Sequence, residues 1–189
     1  MEQALLSIAR EAYRTPREAA VQLLSLGIPR QAILPGFGAI VLISVVVSGA
    51  ADVLVPQAED VPISYITMAV LLGVILLSFT LGVWKIGQGF GGSGSFEESL
   101  TIGIFFQTIL LPFQILQIIL AVAMPSLAGI YAIGLLFYGV WMNVQFIDAL
   151  HGLASFGKSL GVLLLSSFVA AVALLIVAAF FGQSPVGAV

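Results

Sequence analysis

The sequence predicts an all-α membrane protein: five transmembrane helices behind an N-terminal amphipathic helix. Three observations carry this. First, 60% of the 189 residues are hydrophobic and 8% are charged, against roughly 25% charged in a soluble domain. With a mean hydropathy of +1.18, that much apolar surface has nowhere to go but lipid. Second, the apolar residues collect in five runs, near 34–54, 63–84, 99–122, 127–147 and 160–181. Each is close to the ~20 residues that cross a ~30 Å hydrocarbon layer as a helix. Barrel strands would run ~10 residues with alternating polarity, and these runs do not alternate. Third, all six basic residues fall on one side of the resulting topology.

Residues 1–32 form the polar-amphipathic start. Thr15 is a candidate N-cap, Pro16 suits the first helical position, and Glu18 stands where a capping box requires it. Gly27 and Pro29 then stop the helix. Ala20, Leu23, Leu24 and Gly27 make an apolar stripe opposite Arg17, Glu18, Gln22 and Ser25. The expectation is a helix in the headgroup region, with Arg10, Arg14, Arg17 and Arg30 turned to anionic lipid. A solvated helix with ordinary charges is the alternative. The start lacks the basic-then-apolar pattern of a secretory signal, so the first span is expected to be retained as an anchor.

Residues 33–182 form the transmembrane domain. The four arginines precede span 1, Lys85 lies between spans 2 and 3, and Lys158 between spans 4 and 5. The positive-inside rule then puts the N-terminus and both lysine-bearing loops in the cytoplasm. Opposite lie the acidic loop 52–60, the turn Met124-Pro125-Ser126 and the charge-free tail 183–189. The expected topology is that of a multi-pass membrane protein with its N-terminus in the cytoplasm and its C-terminus on the opposite side.

The longest polar break is Trp84 to Glu98, between spans 2 and 3. Gly89, Gly91 and Gly94 spell GxGxxG there, but a membrane span precedes them instead of a strand, and the context of a dinucleotide site is missing. The expectation is a flexible hinge that separates a two-helix hairpin from a three-helix unit. Ser95 and Glu98 form a second capping box at the start of helix 3, and Phe90 and Phe96 are expected at the interface.

No catalytic constellation emerges. His151 is the only histidine, with Asp148 three residues before it, the same face if the helix continues. One histidine and one carboxylate are too few for a closed zinc site. They read as an interfacial helix-end pair, with a proton-linked pair as the alternative. There are no cysteines, hence no disulfides or thiolate ligands, and six basic residues leave no nucleic-acid footprint. No cofactor or metal is implied. Span 3 is polar inside: Gln107 and Gln114 share a face, Gln117 follows, and Asn143 on span 4 lies at a depth Gln107 can reach. Pro112 should kink this helix. Such glutamines usually tie helices together; lining a solute path is the alternative. Small residues in span 5, Ser166, Ser167 and Ala170 among them, permit close helix approach.

The chain resembles bacterial members of the Yip1 domain family. The resemblance rests on Thr-Pro-Arg-Glu-Ala-Ala (15–20), on the loop Gly-Gln-Gly-Phe-Gly-Gly-Ser-Gly-Ser-Phe-Glu-Glu-Ser-Leu (87–100) and on Ala-Leu-His-Gly-Leu-Ala-Ser-Phe-Gly-Lys-Ser-Leu (149–160). It implies a polytopic membrane protein without enzymatic activity. The Asp-Leu-Tyr-Gly-Pro stretch of eukaryotic members is missing and the N-terminal region is short. The resemblance therefore carries no GTPase binding, and no functional residue, over to this chain.

Together these readings point to a non-enzymatic component that organises membrane or binds a partner, another membrane protein or itself. Its surface would combine Arg10, Arg14, Arg17, Arg30, Lys85, Phe90, Phe96 and Lys158. The competing expectation is a small-solute channel or carrier, with a hydrated cavity among spans 3, 4 and 5 beside Gln107 and Gln114.

Overall fold

A computed structural model describes residues 2–55 and 64–182. Among the described residues the chain is wholly helical: α1 (Glu2–Ala12), α2 (Pro16–Ser25), α3 (Arg30–Leu54), α4 (Tyr65–Gly89), α5 (Phe96–Ala123), α6 (Pro125–His151) and α7 (Phe156–Gly182). The last five are long and apolar enough to cross a membrane. The expected acids Glu59 and Asp60 and the tail 183–189 lie outside the described residues; Asp52, at the end of α3, is exposed.

The five long helices outrun their apolar runs mainly at one end. α3 begins at Arg30, α4 continues to Gly89, α5 begins at Phe96, α6 ends at His151 and α7 begins at Phe156. At 28 residues, α5 is about 42 Å long, against a hydrocarbon layer of roughly 30 Å. The surplus gathers with α1 and α2 into a helical cap at the end that carries all six basic residues. Pro35 and Pro112 sit inside α3 and α5, which continue through them as single helices.

Packing departs from the hairpin-plus-three division. The most extensive contact of α4 is with α7, ahead of its sequence neighbours α3 and α5. The close point is Gly82 against Ser166: a Cβ added at Gly82 would stand 3.0 Å from the Ser166 Cα. Small residues on both sides let the two backbones meet, as membrane helices favour. The Trp84–Glu98 stretch therefore joins parts of one packed body and does not act as a hinge between two.

The N-terminal region holds two helices, not one. α1 was not legible as a separate element; α2 begins at Pro16 as expected and ends before Gly27, whose φ of +56° is the left-handed C-terminal stop. Ile8, Ala12, Ala19, Ala20 and Leu23 are buried where α1 and α2 pack on each other and α2 packs on α6. Of the α2 stripe, Ala20 and Leu23 are thus covered by protein, Leu24 is half-buried and Gly27 is exposed. The first predicted capping box does not form. Thr15 is the N-cap, but its hydroxyl turns back to Glu11, because α1 ends only a short turn before it. Ser95 and Glu98 make the second box in full: Ser95 Oγ accepts from the Glu98 N–H (3.2 Å) and Glu98 Oε2 from the Ser95 N–H (2.8 Å).

Candidate functional site

The cap is assembled around His151, which is 2% exposed. The Gly94 N–H donates to its Nδ1 at 3.2 Å, and Nε2 lies 3.0 Å from the Val83 carbonyl. An acceptor at Nδ1 and a donor at Nε2 specify one neutral tautomer. The next turn adds a strap, the Ser93 N–H donating to the His151 carbonyl at 3.3 Å. One ring thereby links the end of α4, the α4–α5 loop and the end of α6.

This geometry accounts for the glycine run. A Cβ on Gly87 would fall 2.1 Å from His151 Nε2, and one on Gly92 would fall 2.4 Å from the His151 Cβ. At Gly94 it would stand 2.8 Å from Leu150 Cγ. No side chain fits between this backbone and the imidazole. Gly91, at φ +93°, supplies the left-handed turn that brings the loop round. The expected flexible turn is instead a close-packed cradle, and of the three GxGxxG glycines only Gly94 belongs to its wall.

Asp148 and His151 share the last turn of α6 but do not pair. Asp148 Oδ2 accepts from Arg17 Nε at 2.7 Å. Its Oδ1 accepts from the Ser155 N–H at 3.3 Å and the Ser159 hydroxyl at 3.5 Å. Asp148 therefore fastens α2 and the α6–α7 loop to α6. The Tyr138 hydroxyl adds a tie, donating to the Tyr13 carbonyl at 3.1 Å. The expected helix-end pair does not form; each residue is buried and makes tertiary bonds that spacing could not reveal.

The expected surface residues are brought to this end with different roles. Arg17 is drawn to Asp148, while Arg30 stands 3.9 Å from Glu97 at an exposed, weak pair. Arg10, Arg14 and Lys158 are exposed; Lys85 Nζ lies 3.7 Å over the Trp84 ring. Phe96 packs on Trp84, with ring centres 5.6 Å apart. Phe90 lies across the second turn of α7, against Gly161, and stays 37% exposed.

The intramembrane amides separate. Gln117 is the helix tie that was expected, its Nε2 donating to the Ala128 carbonyl on α6 at 3.1 Å. Gln107 and Asn143 line one cavity of about 250 Å³ among α3, α4, α5 and α6. Asn143 and Gln117 line a second, of about 540 Å³, among α5, α6 and α7. Gln114 is on the wall of neither. Among the described residues no three His, Cys, Asp or Glu side chains come together as metal ligands. No family model, curated protein or solved structure matches the chain.

Proposed function

We propose that this chain is a non-enzymatic integral membrane protein of Yip1-like type that acts as a partner-binding or membrane-organising component through its cap. The partner is another membrane protein or a second copy of the chain. The observation that carries this reading is the locking of three separate segments into one surface. α1–α2, the α4–α5 loop and the α6–α7 loop are fastened by Asp148 and His151. Ordered loops that leave Arg10, Arg14, Phe90, Phe156 and Lys158 exposed present a fixed pattern of charge and aromatic surface, which lowers the entropic cost of binding. The positive-inside rule supports a cytoplasmic cap in a bacterial inner membrane, with N-terminus in and C-terminus out.

Two experiments test this. Gentle detergent extraction followed by native mass spectrometry should return the chain with a stoichiometric protein partner or as a defined oligomer. A chain that always travels alone contradicts the reading. A cytoplasm-active reporter fused after Val189 should be silent, and the same reporter fused at the N-terminus active; the reverse result inverts the orientation. The solute-path reading has one observation in its favour: a cavity of about 540 Å³ lies among α5, α6 and α7, the spans predicted for a path. The amides on its wall are Gln117 and Asn143, however, and not the predicted Gln107 and Gln114; Gln107 lines the cavity among α3–α6.

A further inference from the structure

The cavity of about 250 Å³ lies directly under the His151 cradle. Val83, whose carbonyl meets the imidazole, forms its upper end together with Ser99 and Ile147. Leu76, Phe79, Ile102 and Phe106 are among its apolar wall, and no charged side chain reaches it. Two of its hydroxyls are already engaged within their own helices: Thr80 Oγ1 donates to the Leu76 carbonyl at 2.9 Å, and Ser99 Oγ to the Ser95 carbonyl at 2.8 Å.

Gln107 and Asn143 differ. Both line the cavity, and counted from the α5–α6 turn they stand at nearly equal depth. Among the described residues neither amide has a hydrogen-bond partner within the protein, although each offers two N–H donors and a carbonyl acceptor. In a hydrocarbon environment such groups favour any ligand that satisfies them.

We propose that this cavity is a binding site for a single-chain lipid whose neutral head both donates and accepts hydrogen bonds. The absence of charge on the wall selects against an ionised head or a hydrated ion, which would lose its solvation without replacement. The apolar wall selects a hydrocarbon body. The size suits one chain: an apolar cavity on the order of 150 Å³ already admits benzene, and about 250 Å³ takes a longer slender molecule. A fatty alcohol and a protonated fatty acid share the required chemistry, and the head sits against Gln107 and Asn143. This site stands apart from the partner-binding reading and neither depends on the other.

The test uses the full chain in phosphatidylcholine nanodiscs. One arm is irradiated with diazirine-tagged lauryl alcohol, the other with diazirine-tagged lauric acid, and adducts are mapped by peptide mass spectrometry. Saturable labelling of Leu76, Phe79, Ile102 and Phe106, displaced by the untagged compound, is expected; the arm that labels at lower concentration identifies the head. The double variant Gln107→Leu, Asn143→Leu keeps the helices apolar and should weaken the apparent affinity roughly tenfold, as the loss of a pair of neutral hydrogen bonds requires. Leu76→Phe narrows the cavity and should abolish the saturable component. Labelling confined to outward residues such as Phe137 and Leu175, labelling that never saturates, or labelling undiminished in both variants would overturn the proposal.

Discussion

His151 is held by contacts that leave almost no freedom in its surroundings. Gly87 offers the most direct test. A methyl group there collides with Nε2, so Gly87→Ala must expel the ring or bend α4. Overpacking of this kind costs about 1–3 kcal/mol, and expulsion also leaves the Val83 carbonyl and Gly94 N–H without their partner. His151→Ala should cost a similar amount by the second route alone. The two changes share one cause of damage, so the double variant should be clearly less unstable than the sum of the singles. Thermal unfolding in detergent reads all three; additive losses would mean that the glycine and the histidine act independently. The role of these residues was hidden in the sequence for a physical reason. Glycine spacing marks where side chains are missing, but not what fills the space, and the imidazole that fills it stands 59 positions beyond Gly92.

Among the elements, the N-terminal arm depends most on a single bond. Arg17 is half exposed and Asp148 nearly covered, so Arg17→Ala leaves a mostly buried carboxylate with only the weaker Ser155 and Ser159 contacts. The expected loss is about 1–2 kcal/mol, concentrated in the arm. Limited trypsin digestion should cut at Arg10 and Arg14 several-fold faster while the long helices stay intact; an unchanged digestion rate would show that apolar burial of Ala19, Ala20 and Leu23 suffices. The α4–α7 contact is tested by Gly82→Val. The Ser166 backbone it would meet cannot swing aside, so a loss of about 2 kcal/mol is expected, visible as a lower unfolding temperature. The five long helices were legible because burial in lipid demands long apolar runs whatever their tertiary partners. Their overrun at the cap was not, since polar helical turns there are stabilised by contacts with the arm and loops. α1 was missed for the same reason: alone it is a short amphipathic segment, and Ile8 and Ala12 find their cover only in the folded chain.

For the whole molecule, the cap and the flanks of the bundle differ in kind. The cap is built from long-range bonds: Arg17 to Asp148, Gly94 to His151, Tyr138 to Tyr13. The outer flanks of α6 and α7 are instead exposed apolar side chains, Phe137 and Leu175 each at 70%, as lipid contact requires. The polar end and its basic residues were legible in the sequence, because charge is expelled from hydrocarbon irrespective of packing. The packing of that end into one platform was not, nor was the placing of Gln107 and Asn143 on the wall of a cavity. The central claim is that this platform is where the protein works. It is tested most directly by placing a photo-crosslinking amino acid, one position at a time, at Phe90, Phe156 and Lys158 on the cap and at Phe137 and Leu175 on the flanks, in native membranes. The account predicts discrete protein adducts of constant mass from the cap positions and lipid adducts from the flanks. Protein adducts from the flanks alone, with none from the cap, would contradict it.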